Sequence, residues 1–393
     1  METFFKSHAY LVEHNNAPIR RALMDTIDWS HRMIGIRGSR GVGRTSFLLQ
    51  YAKENYDVRL RQCLYVNMNN FYFQARGIVE FAGKFIESGG RVLLIDQAFK
   101  LTNWKDQLYE CYERYPQLRI VFSTTSVQGA DYESSKLSQV ARIYYLHGLS
   151  FREFINLKYG TKFRAYSLNE LLENHDTIAR SILREVRPLE AFQAYLKYGH
   201  YLFFLENHNF TEAMLKAMNM MIEVDVLFIK QIELKYLERL KKLLFLIATN
   251  NDSSTNVSQL ASDIGTSRAT VMNYLHYLEE ARMVNMIYRE GDTFPKKPAS
   301  VMLHNTNLIY ATDGSVATEQ RIMETFFANA LWRHHKLNKG RRKNLYTVND
   351  NINVCICEPE RRVKTGPKNY AARYGIELGF NYDIPIWLFG FLY

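Results

Sequence analysis

The stretch Gly38-Ser39-Arg40-Gly41-Val42-Gly43-Arg44-Thr45 limits what this chain can fold into more than any other segment does. Its glycines follow the apolar run Met33–Ile36 and precede a helical pattern that opens at Ser46. A strand that turns through glycines straight into a helix presents a nest of backbone N–H groups at the helix N-terminus, a site built for phosphate. Glycines alone would be weak evidence, with an ordinary strand-to-helix turn as the plain alternative; the flanking strand and helix favour the phosphate reading. Thr45 stands where a hydroxyl would meet Mg2+, so the expected ligands of Gly38–Ser46 are ATP and Mg2+. Arg44 stands where such loops carry lysine. A guanidinium is planar and larger than an ammonium, so the charge is kept but its position against the phosphates is expected to change.

A loop of this kind works with a second strand that ends in an aspartate for the metal. The run Arg91–Gln97, RVLLIDQ, supplies Asp96 after four apolar residues. Gln97 follows, at a position where a glutamate would activate the attacking water. A carboxamide can orient water but cannot take its proton, so hydrolysis is expected to be weak or lost.

Five apolar runs (Met33–Ile36, Cys63–Asn67, Val92–Ile95, Ile120–Phe122 and Ile143–Leu146) alternate with helical patterns such as Ser46–Asn55 and Ile78–Ser88. Continuous apolar strands separated by helices point to an α/β fold with a parallel sheet buried on both faces. From Ser150 to about Tyr236 strand signals stop and helical patterns take over, as in Leu168–Glu185 and Thr211–Phe228. Val257–Val284 then reads as helix, turn at Gly265-Thr266 and second helix with Ser267 as N-cap, followed by a hairpin from Met283–Tyr288 to Val301–Leu303. The second helix carries Arg268, Asn273 and His276, which can reach base edges, but also Glu279 and Glu280. Packing is the preferred role for it, since the basic charge lies elsewhere. The apolar ending Ile384–Tyr393 is too short to span a membrane and is expected to be a buried terminal strand.

At 393 residues the chain suits two or three domains of roughly 100 to 200 residues each. Cys63, Cys111, Cys355 and Cys357 fit neither a disulfide framework nor a zinc knuckle, and no leader pattern opens the chain, so a reducing cytoplasm is expected. The net charge of +10 is concentrated: Leu331–Arg373 holds eleven basic residues against Asp350, Glu358 and Glu360. A polyanion such as nucleic acid is the functional reading of residues 331–373, and a solvated basic face is the plain one.

Ile34–Glu54, Val92–Trp104, Arg119–Ser126 and Leu146–Phe154, taken together, resemble the AAA-superfamily ATPases of bacteria and archaea that carry a winged helix and a C-terminal restriction-endonuclease-like domain. The similarity extends to His304–Ala311 and Met323–Leu331. It implies a P-loop parallel sheet with helical lid, winged helix and a small α+β C-terminal domain. The implied divisions are an ATPase core over 1–149, a lid over 150–236, a winged helix over 237–304 and the C-terminal domain over 305–393. It assigns Gly38, Ser39, Arg40, Gly41, Val42, Gly43, Arg44, Thr45 and Ser46 to nucleotide, with Thr124 among the polar residues Ser123, Thr124 and Thr125 that sense the γ-phosphate. Metal falls to Thr45 and Asp96, and the catalytic position to Gln97.

Three departures from the family pattern fall on hydrolysis: Arg44, Gln97, and Gln139-Val140 where a paired arginine is usual. In the C-terminal domain Asp350 and Glu358 have a nuclease-like spacing, but Glu358-Pro359-Glu360 lacks the lysine that positions water. Nuclease chemistry is therefore not expected. The leading reading is an ATP-binding, nucleotide-responsive or scaffolding module, with oligomer formation open. An active ATPase with variant motifs, and a DNA-binding protein with a vestigial nucleotide fold, remain as alternatives.

Overall fold

The computed structural model describes residues 1–127, 132–205, 209–252 and 254–393. They divide into two compact units, Met1–His147 and Gly148–Tyr393.

In the first unit five strands, β1 (Met33–Gly38), β2 (Cys63–Asn67), β3 (Val92–Asp96), β4 (Arg119–Thr125) and β5 (Arg142–Tyr145), form a sheet of order β2-β3-β4-β1-β5. Every pairing in it is parallel. The strands from β1 to β4 are buried almost throughout, which is why they read as unbroken apolar runs instead of alternating ones. Parallel pairing places the ends of β1, β3 and β4 along one sheet edge, where ligands bind in open α/β sheets. The chain leaves β1 for the outer strand β2 and works back through β3 and β4, so the loop after β1 opens beside β4.

Helix Glu2–His14 lies against β2, and His8 accepts the Tyr65 N–H on its Nδ1 at 3.0 Å. Burial holds the His8 imidazole down at about 4, so it is neutral there. Helix Phe71–Glu87 bends at Gly77, whose φ is 74°. The Gln107 carboxamide caps the bend by accepting the Ile78 N–H at 2.7 Å. The helical periodicity in the sequence starts at Ile78 because only the part beyond that bend has one continuous face.

The second unit begins with helices, among them Phe151–Tyr159 and Leu168–Leu183, with no strand among the described residues before β6 (Val284–Ile287). Ser150 and Glu153 close a capping box at the start of Phe151–Tyr159. Helices Val257–Asp263 and Arg268–Glu280 follow, the second capped by Ser267, and β6 pairs antiparallel with β7 (Ser300–Leu303). A second sheet of order β12-β11-β10-β9-β8 contains β8 (Leu337–Lys339), β9 (Leu345–Val348), β10 (Ile352–Cys357), β11 (Asn369–Arg373) and β12 (Asp383–Pro385). It is antiparallel from β8 to β10 and parallel from β10 to β12. Helix Glu319–Trp332 is buried from Arg321 to Leu331 and joins one core with Phe151–Leu196 and the chain end.

The terminal apolar run departs from expectation. Only its first residues belong to β12, and Ile386–Phe391 turn into a 3-10 helix. Trp387 and Phe391 pack on Phe151 and Phe389 on Phe327, while Ile386 and Leu388 between them are buried in the same core, so the run does not divide into two faces as a strand would. An apolar run this short does not itself decide between strand and buried helical turn.

Candidate functional site

Gly38 ends β1 at a point where a Cβ would lie 2.5 Å from the Leu146 carbonyl oxygen, so this close approach requires glycine. Gly41 and Gly43 have φ of 82° and 90°, and these two turns carry the chain from β1 onto helix Arg44–Asn55. Arg21 braces the bend from outside: its Nη1 donates to the Val42 carbonyl at 3.1 Å and its Nη2 to the His147 carbonyl at 2.7 Å. Ser39 and Val42 are buried; Arg40, Gly41, Gly43, Arg44 and Ser46 are partly exposed and Thr45 is exposed.

Arg44 turns toward β4 and donates through Nη1 to the backbone carbonyl of Thr124. The next residue turns toward β3. Thr45 Oγ1 donates to Asp96 Oδ2 at 2.7 Å. That oxygen also accepts from the Tyr65 hydroxyl at 2.8 Å and from Asn67 Nδ2 at 3.2 Å, both on β2. Ser123 Oγ donates to the other oxygen, Oδ1, and itself accepts the Gln97 N–H at 2.8 Å. Asp96 is 1% exposed, yet four donors meet its charge, which is how an ionised carboxylate is kept in a sheet interior. Burial, and the Asp96 charge after it, push the Tyr65 phenol far up, so Tyr65 keeps its proton and donates it to Asp96, while its oxygen accepts from Asn67 Nδ2 at 3.4 Å.

Gln97 lies beyond the strand in the left-handed region, with φ 58° and a partly exposed side chain. Gln139 and Val140 end a short helix, Lys136–Val140, and Arg142 starts β5 with its side chain exposed.

Residues 30–155 match the family model described as AAA domain. The first unit has an AAA-type P-loop fold. Residues 199–313 match a second model, a domain of unknown function (DUF8612). Uncharacterized protein MJ1637 of Methanocaldococcus jannaschii is 23% identical over 274 residues, which are 66% of this chain and 57% of that relative. The chain therefore spans less than two thirds of that relative's length. Among solved structures, a RuvB variant of Thermotoga maritima is 15% identical over 77% of this chain and 91% of that one, with TM-score 0.31. AMPPCP-bound DnaA of Aquifex aeolicus is 14% identical over 70% and 86%, with TM-score 0.26. Likeness at these TM-scores adds nothing to the family match.

In the AAA-type unit the sheet edge brings together the loop, Arg44, Thr45, Asp96, Gln97 and the polar end of β4. Thr124 takes part through its carbonyl. Three contributors were not apparent from the sequence: Arg21, Tyr65 and Asn67. A polar residue closing the strand before Asp96's strand was the available signal for Asn67; Arg21 and Tyr65 left none.

In the second unit Asp350 sits in the β9–β10 turn and pairs with Lys336 at 2.7 Å. Glu358 lies past the other end of β10 and accepts from the Tyr374 hydroxyl at 2.9 Å. The six residues of β10 between them span roughly 20 Å, too far for two carboxylates to share one metal ion. No cluster of three or more His, Cys, Asp or Glu able to hold a metal occurs among the described residues. Helix Arg268–Glu280 spends its C-terminal end internally: Glu279 accepts the Met286 N–H at 2.9 Å, and His276 stacks on Phe294 with ring centroids 4.4 Å apart. No described helix is long and apolar enough to cross a membrane.

Proposed function

We propose that this chain binds ATP through Gly38–Ser46 and hydrolyses it weakly or not at all, acting as a nucleotide-responsive or scaffolding module. The observation that carries the reading is the Arg44 to Thr124 contact beside an otherwise complete Thr45 to Asp96 pair. The loop keeps its left-handed glycines and its helix N-terminus, the two features that attract phosphate. Arg44, the cation at the lysine position, is committed to a backbone carbonyl on β4, and the residue after Asp96 has no group that can accept a proton from water.

The Thr45 hydroxyl and the Asp96 carboxylate form a hard-oxygen pair, which suits Mg2+ held by one carboxylate together with the phosphates of the nucleotide. When bound, Mg2+ supplies charge neutralisation to those phosphates. The chain's own residues then do the rest: Gly41 and Gly43 shape the cradle, Ser123 holds Asp96 in line, and Gln97 orients water without activating it.

The same proposal divides the remainder into a helical lid over 150–236, a winged helix over 237–304 and an α+β C-terminal domain over 305–393 without nuclease chemistry. It gives residues 331–373 a nucleic-acid partner. The separation of Asp350 from Glu358 and the internal contacts of Glu279 and His276 support the inactive and packing roles.

Titration calorimetry with ATP and Mg2+ tests the binding, and the double change Arg44→Lys with Gln97→Glu tests the hydrolysis. Heat of binding with turnover only in the double variant is expected. No heat at high micromolar ATP removes the binding reading, and parental turnover that disappears in Asp96→Ala makes the chain a working ATPase.

A further inference from the structure

A cleft of about 1060 Å³ opens on one face of the second sheet. Strand register fixes which side chains form its floor. Asn338 opposes Thr347, Thr347 opposes Asn353 and Leu345 opposes Cys355, and all of these border the cleft. The alternate residues Tyr346, Val354 and Ile356 take the opposite face and belong to the core. Lys339 goes with them: it opposes Tyr346 in register and its Nζ lies 3.9 Å from the centre of that ring, so its charge is turned to the core face.

The rim is basic. Arg289, Arg341, Arg342 and Lys364 border the cleft against one acidic residue, Glu290. All four cations are exposed, and none has a hydrogen bond or salt bridge from its side chain among the described residues. Other charges of the same basic segment are already engaged. Lys336 pairs with Asp350, Arg373 with Asp383, and Arg333 lies over the Tyr393 ring. Folding thus sets three cations of the segment, Arg341, Arg342 and Lys364, around one concavity, to which Arg289 is added from outside the segment.

We propose that this cleft binds single-stranded nucleic acid, with the rim cations on phosphates and the floor carboxamides facing the bases. This deepens the nucleic-acid reading of residues 331–373 and rests on it. Asn353 and Asn369 are joined at 3.1 Å, Asn353 also accepts from Thr347 and Asn369 donates to the Pro367 carbonyl, which leaves each carboxamide one further N–H and one further lone pair for a base. Groups on the floor of a cleft reach base edges most readily when the bases are unpaired, which favours a single strand over a duplex.

The test uses the full chain without ATP and a labelled single strand of about 12 nucleotides, followed by fluorescence anisotropy at about 50 mM salt. Arg342→Glu on the rim is expected to weaken binding by roughly tenfold or more, and Arg362→Glu, the same charge change away from the cleft, by less than about threefold. Cys355 is on the cleft floor, so its alkylation should slow when the strand is bound, a readout independent of the variants. A duplex of the same sequence and AMP should both compete poorly. Equal losses in the two variants, equal competition by duplex or AMP, or unchanged Cys355 alkylation overturn the cleft while leaving the segment's partner in place. Absence of binding at low salt overturns both.

Discussion

Arg44 donates through Nη1 to the Thr124 carbonyl, so the cation at the lysine position of the loop is held by the neighbouring strand. A hydrogen bond with one charged partner is worth about 1.5–3 kcal/mol, and Arg44 must give this one up to meet a phosphate. Arg44→Lys removes the planar fork that reaches β4 and leaves a compact charge over the loop. ATP affinity measured by calorimetry is expected to rise by roughly tenfold, the lower end of that energy. An unchanged or weaker affinity would show that the β4 contact does not hold the cation back.

Asp96 has four donors on its two oxygens, from Thr45, Tyr65, Asn67 and Ser123. Asp96→Ala strips the acceptor from all of them, and the Tyr65 and Ser123 hydroxyls are buried. The expected cost is roughly 2–5 kcal/mol, because stranded buried donors cost about 1–3 kcal/mol each and partial relaxation recovers some of it. Tyr65→Phe removes a single donor and should cost about 1 kcal/mol. Urea unfolding of the two variants reads the difference, and equal costs would mean that Asp96 is held by fewer partners than the geometry gives.

What could be read from the sequence follows the range of the interactions. Gly38, Gly41, Gly43, Arg44 and Thr45 declare themselves because a strand-turn-helix is local chemistry, and Asp96 because it closes an apolar strand. Tyr65 and Asn67 lie 31 and 29 residues before Asp96, and Arg21 joins Val42 to a carbonyl 126 residues downstream. Such contacts exist only once the sheet order β2-β3-β4-β1-β5 is set. Asp350 and Glu358 illustrate the opposite error, in which a plausible spacing is separated in space by the strand that runs between them. The basic segment was legible as charge, but the alternation of β8, β9 and β10 decides which of its residues face the cleft.

His8 accepts the Tyr65 N–H while buried, and its folded value of about 4 lies below the ordinary imidazole range near 6.5. A depressed value means that the unfolded chain binds the proton more readily. The stability that depends on neutral His8 is therefore present above pH 6.5 and is lost as pH falls toward 4. The shift corresponds to about 3 kcal/mol at full loss. His304 is lowered in the same direction by its burial, so the His8 part must be isolated. The difference in thermal unfolding between the parent and His8→Gln, followed from pH 7 to pH 4, is expected to shrink steadily. A difference that stays constant over that window would mean that His8 is not the titrating group.

Lys339 reverses the usual sign of a salt bridge. Its ammonium has no hydrogen-bond acceptor among the described residues, and Glu324 Oε2, at 3.9 Å, already accepts from the Tyr346 hydroxyl at 2.8 Å. Burial lowers Lys339 to about 8, more than its distant carboxylate raises it. Since the folded value lies below the unfolded one near 10.5, charging Lys339 opposes folding at neutral pH, and the opposition fades as pH rises from 8 to 10.5. Lys339→Met keeps the length of the side chain over the Tyr346 ring, and Gln320 and Tyr346 still serve Glu324. It should stabilise the protein by about 1–3 kcal/mol at pH 7 and by less at pH 10, because a well-packed apolar replacement of a buried ion is neutral or favourable. Unfolding of both proteins at the two pH values decides it. Destabilisation at pH 7 would assign Lys339 a favourable ion pair with Glu324 that outweighs the burial of its charge.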